Sequence, residues 1–239
     1  MVAPADAGEV CLLDDGTPTP TTGGASASGG DATACGAGAD ASGDLSTAIG
    51  AFSTASGFGS TALGADSLAS GDLSTAVGQG SQATEFGATA TGNSSLATGE
   101  FSTATGTASE ASELFSTATG AGARAIAEGS TASGSFSEAS GNFSTANGFN
   151  SIASGANSSA MGANSNASAA NSVALGAFSL ADRANAISIG SVAFGQRQFI
   201  NLAAGTADTN AVNLAQLNTL TMALGGGASF SGGSPRPPR

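Results

Sequence analysis

Gly43-Asp44-Leu45-Ser46-Thr47-Ala48-Ile49 is followed at once by Gly50-Ala51-Phe52-Ser53-Thr54-Ala55-Ser56. Gly, Ser and Ala recur in the same places of the two phrases, and the phrase extends both ways along the chain. From Gly29 to Gly190 every seventh position gives 24 lattice sites, and 19 of them are Gly. The exceptions are Glu85, Glu113, Ala127, Ala169 and Arg183. Five residues after the lattice, from Ala34 to Ala181, all 22 positions are Ala. Three after it, from Ser46 to Ser179, 18 of 20 are Ser, with Ala88 and Ala123 the exceptions. No residue is inserted anywhere in that span. A stacked repeat needs such register, because one inserted residue would displace every later side chain relative to its neighbours.

The period of seven does not describe a coiled coil. Gly costs roughly 1 kcal/mol at each helix-interior position, and the other repeated positions are Ser and Ala rather than a and d apolar residues. Collagen requires Gly at every third residue. A short strand followed by a Gly turn fits the spacing. The Ser at +3 and the Ala at +5 then face one side, and +4 and +6 face the other. Gly is expected to supply the positive φ of the turn. The +6 position alternates with a spacing of 14. Ile49, Leu63, Val77, Met161, Leu175 and Ile189 lie in one half-coil, and Ser42, Ser56, Ser70, Thr84, Ser140, Ser154 and Ser168 in the other, with Ile126 out of pattern. A coil therefore has two strands, and 24 half-coils pair into 12 coils. At a strand spacing of roughly 4.8 Å they form a rod about 55 Å long. Such a coil buries little of its own apolar area, so the Ile/Leu/Val/Met row is expected to pack against other copies of the chain. Thr91, Thr105, Thr119, Ser133 and Asn147 make that row polar in the middle.

Composition narrows the function. Among 239 residues there are 37 Gly, no His, Trp or Tyr, and the five basic residues are all Arg. Without His or Lys the serines have no base to activate them, so no catalytic residue, enzyme activity, cofactor or metal is expected. Five Arg against 17 acids give a net charge of −12, which disfavours nucleic acid and anionic lipid. Cys11 and Cys35 are the only cysteines. In an exported protein they would pair and tie the N-terminal segment to the first coil; otherwise they remain two thiols. Asp14-Asp15-Gly16 and Pro18 and Pro20 suit either a cap on the open sheet edge or an irregular loop. The pairs Thr89/Thr91, Thr103/Thr105 and Thr117/Thr119 would stack into a hydroxyl ladder, of use to an ice-binding surface or simply favourable in a strand. Phe52, Phe101, Phe115, Phe136, Phe143 and Phe178 at +2 offer a ligand patch or pack between chains. Asp44, Asp72, Glu100, Glu110 and Glu138 read as scattered solvating charges.

Asn171-Ser172-Val173-Ala174-Leu175-Gly176-Ala177-Phe178-Ser179 closely resembles the NSVAIGxxS head repeat of trimeric autotransporter adhesins of the YadA type, and Gly155–Ser165 and Asp44–Ser53 are looser copies. Arg197-Gln198-Phe199-Ile200-Asn201-Leu202-Ala203-Ala204-Gly205-Thr206-Ala207-Asp208-Thr209-Asn210-Ala211-Val212-Asn213-Leu214-Ala215-Gln216-Leu217 resembles the neck of the same family, with Asn210 where the family usually has Asp. The resemblance covers about residues 29–224.

The resemblance implies an all-β, left-handed parallel β-roll or solenoid of 14-residue coils. It implies a homotrimer, with a short C-terminal neck and the start of a helix. Four segments are expected: an irregular N-terminal segment or cap (1–28), head repeats (29–195), a neck (196–224) and a disordered tail (225–239). The neck residues are Asn210, Ala211, Val212, Asn213, Leu214, Gln216 and Leu217, and Leu217, Leu220 and Leu224 share one helical face. The implied ligand surface is Asn171, Ser172, Val173, Ala174, Leu175, Gly176 and Ser179. The implied function is attachment to host matrix proteins such as collagen, to host cells or to other copies, at the surface of a Gram-negative bacterium. A structural spacer is the alternative, and an ice-binding solenoid a remote one. Met1–Val10 shows no signal peptide, and Gly232–Arg239 fits neither stalk nor membrane barrel. The expectation is a passenger segment, reaching the membrane only through an anchor outside this sequence.

Overall fold

The structure is a computed structural model that describes residues 9–11, 23–223, 229–231 and 234–236. The expected turn at Asp14–Gly16, the Pro18/Pro20 stretch and Leu224 lie outside the described residues. The chain divides into two units, Met1–Gln196 and Arg197–Arg239.

The first unit is a parallel β-solenoid. Sheet A has 13 strands and runs from Glu9–Val10 through Thr33–Cys35, Thr47–Ile49 and onward to Ile187–Ser188; sheet B has 12 and runs from Ser26–Ala27 to Leu180–Ala181. The chain alternates between the sheets, so each strand pairs with the strand one coil away. In sheet A, Thr47, Ala48 and Ile49 pair with Thr61, Ala62 and Leu63. In sheet B, Thr54 and Ala55 pair with Leu68 and Ala69. The offset of 14 read from the sequence is thus the strand register. Two strands lie ahead of the expected start at residue 29: Glu9–Val10 pairs with Thr33–Ala34, and Ser26–Ala27 with Asp40–Ala41.

The interior is made of the two repeated small residues. The Ala at +5 is fully buried from Ala48 to Ala174, and the Ser at +3 from Ser53 to Ser158 is buried throughout. Small side chains are required because the sheets face each other across a single coil. The serines of the two half-coils differ. Ser53, Ser67, Ser81, Ser95 and Ser109 donate their hydroxyl to the lattice Gly carbonyl three residues earlier, at 2.8–2.9 Å. In the other half-coil Ser46, Ser60, Ser74, Ser102, Ser144 and Ser158 have an Oγ with no hydrogen-bond partner among the described residues.

The turns correct the expectation about glycine. The residue that needs a positive φ in both turns is the one at +2. Every such position from Asp31 to Asn185 has it, whether it is Gly, Asn, Leu or Phe. Asn at 150, 157, 164, 171 and 185 suits this left-handed region. Bulky Phe does not, and is held there by the ladder on both sides: Phe52 N–H donates to Ala37 O at 2.8 Å, and Asp66 N–H to Ala51 O at 2.9 Å. The lattice Gly has a positive φ only in the turn leaving sheet A, as at Gly106 with φ +125. In the turn leaving sheet B it has none, and there close approach favours Gly: a Cβ on Gly57 would lie 2.1 Å from Gly71 O. All five non-Gly lattice residues fall in that second turn. Its backbone can adjust, as it does at Glu113 and Ala127, whose N–H groups turn to the Oγ of Ser116 and Ser130.

The second unit begins without regular structure and then forms one helix, Leu214–Ala223. Asn213 caps it: its Oδ1 accepts the Gln216 N–H at 3.0 Å. Gln216 Oε1 accepts the Asn213 N–H at 3.3 Å, completing a reciprocal capping box. Ser229–Ser231 pairs antiparallel with Ser234–Arg236.

Candidate binding surface

The outward face of sheet A carries the row at +6. Ile49 pairs with Leu63 and Leu63 with Val77 at one end, and Met161 pairs with Leu175 at the other. Ile49 is 39% exposed and Leu175 44%, so in a single chain these large apolar side chains lie half uncovered. Ile189 follows the last strand, Ile187–Ser188, and is half-buried. Between the apolar ends run Thr91, Thr105, Thr119, Ser133 and Asn147. Beside them the +4 position holds Thr in every coil from Thr33 to Thr145. The three T-x-T pairs are thus part of a longer Thr file, whose members are half-buried.

The structure separates the residues of the Asn171–Ser179 repeat. Ser172, Ala174 and Ser179 are buried in the interior, where no ligand reaches them. Ser172 Oγ donates to Ala169 O and Ser179 Oγ to Leu175 O, each at 2.7 Å. Asn171 and Leu175 are exposed, Val173 and Gly176 half-buried. Asn171 occupies the left-handed turn position, φ 53, and its amide donates to Asn185 Oδ1 at 3.1 Å. Asn150 donates likewise to Asn164 at 2.9 Å. The repeat is therefore mostly structural: three of its side chains build the interior, and the outward ones carry the surface.

The phenylalanines at +2 stand on the turns, divided between the two edges of the solenoid. Phe101 and Phe115 stack with centroids 5.5 Å apart, and Phe86 meets Phe101 edge-on at 5.2 Å. Each ring lies over the turn before it. A Cβ on Gly87 would sit 3.0 Å from the Phe101 ring, and Gly38, Gly122 and Gly129 make room in the same way for Phe52, Phe136 and Phe143. The rings remain about half exposed, an apolar stripe along each edge.

Four acids do more than solvate. Asp44 Oδ1 accepts the Gly30 N–H and Asp72 Oδ1 the Phe58 N–H, both at 2.9 Å, each bridging adjacent coils. Arg124 on the outer face of sheet B bridges Glu110 and Glu138, one coil to each side, at 3.0 Å. The hydrogen bond to Glu110 comes first in pushing the guanidinium pKa up; partial desolvation opposes it, and the charges of both glutamates add to it. With all three side chains partly exposed, each pair contributes about 0–1 kcal/mol.

In the neck, Gln216 and Asn213 also reach back to the preceding segment. Gln216 accepts the Gly205 N–H at 2.8 Å and donates to Gly205 O at 2.9 Å. Asn213 donates to Leu202 O at 3.0 Å. Val212, Leu214, Leu217 and Leu220 line an open apolar groove. Asn210 donates its N–H to Ala207 O in a turn, and Ala211 is exposed beside it. The strapping by Gln216 was not visible from the resemblance, but Asn213-Leu214-Ala215-Gln216 carries the spacing of a capping box.

Among the described residues no group of three His, Cys, Asp or Glu is placed to hold a metal, and no helix is long and apolar enough to cross a membrane. The chain matches the family model of the YadA head domain repeat over residues 27–53, 41–67, 69–95, 97–123, 125–151 and 153–179. Those windows cover more than half of the chain, and each starts a whole number of coils after the one before. No curated protein matches it. Among solved structures it is similar to the collagen-binding domain of the Yersinia adhesin YadA, with 35% identity, 76% of this chain and 85% of that chain covered, and a TM-score of 0.45.

Proposed function

The chain belongs to the family of YadA-type trimeric autotransporter adhesins, of which it carries the head repeats, and from that premise we propose that it binds host extracellular matrix, collagen among its candidates, from the bacterial surface. Family and fold are those of an adhesin. The observation that carries the proposal is the register: side chains at one repeat position recur on one face at every coil. A ligand that is itself repetitive meets the same weak contact many times, and avidity does the work of a deep pocket.

Three copies would join through the outward row of sheet A, at Ile49, Leu63, Val77, Met161, Leu175 and Ile189. The neck would join through Val212, Leu214, Leu217 and Leu220. Both are rows of apolar side chains left exposed or half-buried in a single chain, and a helix of ten residues is too short to be stable in isolation. The ligand would meet the outward side chains, Asn171 among them, together with the Phe edges. Host cells and other copies of the head are further candidate ligands.

The test uses the full chain. Sedimentation equilibrium gives its assembly state, and binding to surfaces coated with fibrillar collagen, other matrix proteins or the chain itself gives its ligand. Binding by a trimer that weakens steeply when two whole coils are removed supports the reading. A folded trimer that binds none of these surfaces is a spacer instead.

A further inference from the structure

The register of sheet A brings the two cysteines side by side. Val10 pairs with Ala34, and the ladder continues one residue further, because Cys11 N–H donates to Ala34 O at 3.0 Å. Cys11 therefore lies opposite Cys35, as Cys35 lies opposite Ile49 one coil on. Both side chains take the same face. Val10 and Ala34 point into the interior, where Val10 packs against the alanine cluster, so the next residue of each strand points outward. Neighbouring strands lie about 4.8 Å apart, inside the Cα separation of about 4.4–6.8 Å that a disulfide spans. Among the described residues Cys11 stands at the end of a strand paired on one side only, where the backbone can yield by the small amount that brings the sulfurs together. Both residues are half-buried, and a small oxidant can reach them.

We propose that Cys11 and Cys35 form an intrachain disulfide that staples the first strand of the solenoid to the second. Each thiol gives up a proton and an electron, the two S–H bonds are replaced by one S–S bond, and a disulfide oxidant takes up both electrons and is reduced to two thiols. The staple protects the solenoid where it is weakest. The strand Glu9–Val10 is only two residues long and is an edge strand that would otherwise fray or pair with a foreign strand. The cross-link closes the segment between the cysteines into a loop, and closing a loop of that size removes unfolded-state entropy. The proposal depends on the adhesin reading only for the oxidising compartment in which the bond would form; the pairing itself is tested without a ligand.

The full chain is incubated with oxidised glutathione, unreacted thiols are alkylated, and the denatured protein is cut with an aspartate-directed protease. Asp14, Asp15 and Asp31 lie between the cysteines, so the bond appears as two joined peptides, lighter than their sum by two hydrogens and separated by reductant. Hydrogen exchange at the Cys11 amide is expected to slow by about tenfold or more in the oxidised form relative to the reduced form of the same sample. In Cys11→Ser, Cys35 should appear after the same treatment only as the alkylated thiol or its glutathione adduct, with no joined peptides. Full alkylation of both thiols in the oxidised, folded protein would overturn the pairing. So would a reductant-sensitive band of two chains on a denaturing gel in place of the joined peptides. Joined peptides with unchanged exchange would overturn the stapling.

Discussion

Gly106→Ala should destabilise the solenoid substantially, and Glu113→Ala, one half-coil later at the same lattice position, should not. Gly106 has φ +125, which an L side chain rarely adopts, and its Cβ would meet the Gly120 carbonyl carbon at 2.7 Å and oxygen at 2.8 Å. Those are backbone atoms of the next coil and cannot rotate away. The unfavourable φ alone costs about 1–3 kcal/mol. The displaced coil brings the total to roughly 3 kcal/mol, a sizeable part of the stability of a typical domain. For a unit of this size each kcal/mol moves the midpoint by about 2–4 °C, so Tm should fall by roughly 6–12 °C. Glu113 already carries a Cβ, is exposed, and keeps its backbone bond to Ser116 Oγ. Its replacement by Ala should stay within about 0.5 kcal/mol. Thermal unfolding followed by far-UV circular dichroism gives both numbers. Equal melting of the two variants, in either direction, would refute the claim that only one of the two turns needs glycine for its backbone.

The interior serines give a second contrast. Ser109→Ala removes a hydrogen bond to Gly106 O and should cost about 1 kcal/mol, whereas Ser102→Ala removes a buried hydroxyl with no partner among the described residues and should be neutral or slightly stabilising in denaturant titration. Ala104, fully buried between the sheets, should resist enlargement: Ala104→Leu is expected to cost about 3 kcal/mol, at the upper end for overpacking, and a melt indistinguishable from the parent's would contradict so tight an interior. Gln216→Ala should release the strap in the neck, raising hydrogen exchange at the Gly205 amide and weakening the helix by about 1 kcal/mol; an unchanged Gly205 amide would show that the strap does not order that segment.

Much of the solenoid is written in particular residues. Ala48 and Ala62 mark the inward position, Ser46 and Ser60 the other inward position, and the alternation of Ile49 with Ser42 and Ser56 shows that two half-coils make one turn. The two kinds of turn were also recorded there. Glu85, Glu113, Ala127, Ala169 and Arg183 all replace Gly in the same half-coil, but the meaning of their placement depends on φ values that composition does not report. Phe at +2 was visible, yet its left-handed backbone ran against the preference of a bulky residue, and only the stacked turn hydrogen bonds explain it. The ladder Glu110–Arg124–Glu138 has the spacing of adjacent coils, but its acids look like scattered charges in sequence until the register sets Arg124 between them. The proximity of Cys11 and Cys35 could not be read from the repeat, since Cys11 lies before its register begins. Three members of the Asn171–Ser179 repeat proved to be interior residues, because a motif that recurs for packing reasons looks in sequence like one that recurs for recognition.

The alternation of two unlike turns sets a rule for how genes of this kind can change length. Adding or losing one complete coil returns every residue to an equivalent neighbour, so slippage between repeats at the DNA level yields a taller or shorter molecule with the same faces. A gain or loss of half a coil preserves the Gly-Ser-Ala phrase that recombination would recognise, yet it exchanges the sheets for everything downstream. Glu113 would then occupy the turn that only glycine tolerates, and Met161 and Leu175 would move from one face to the opposite one. Height is therefore heritable in discrete steps of two phrases, and variants that differ by one phrase should be missing from natural length polymorphism although their DNA arises as readily.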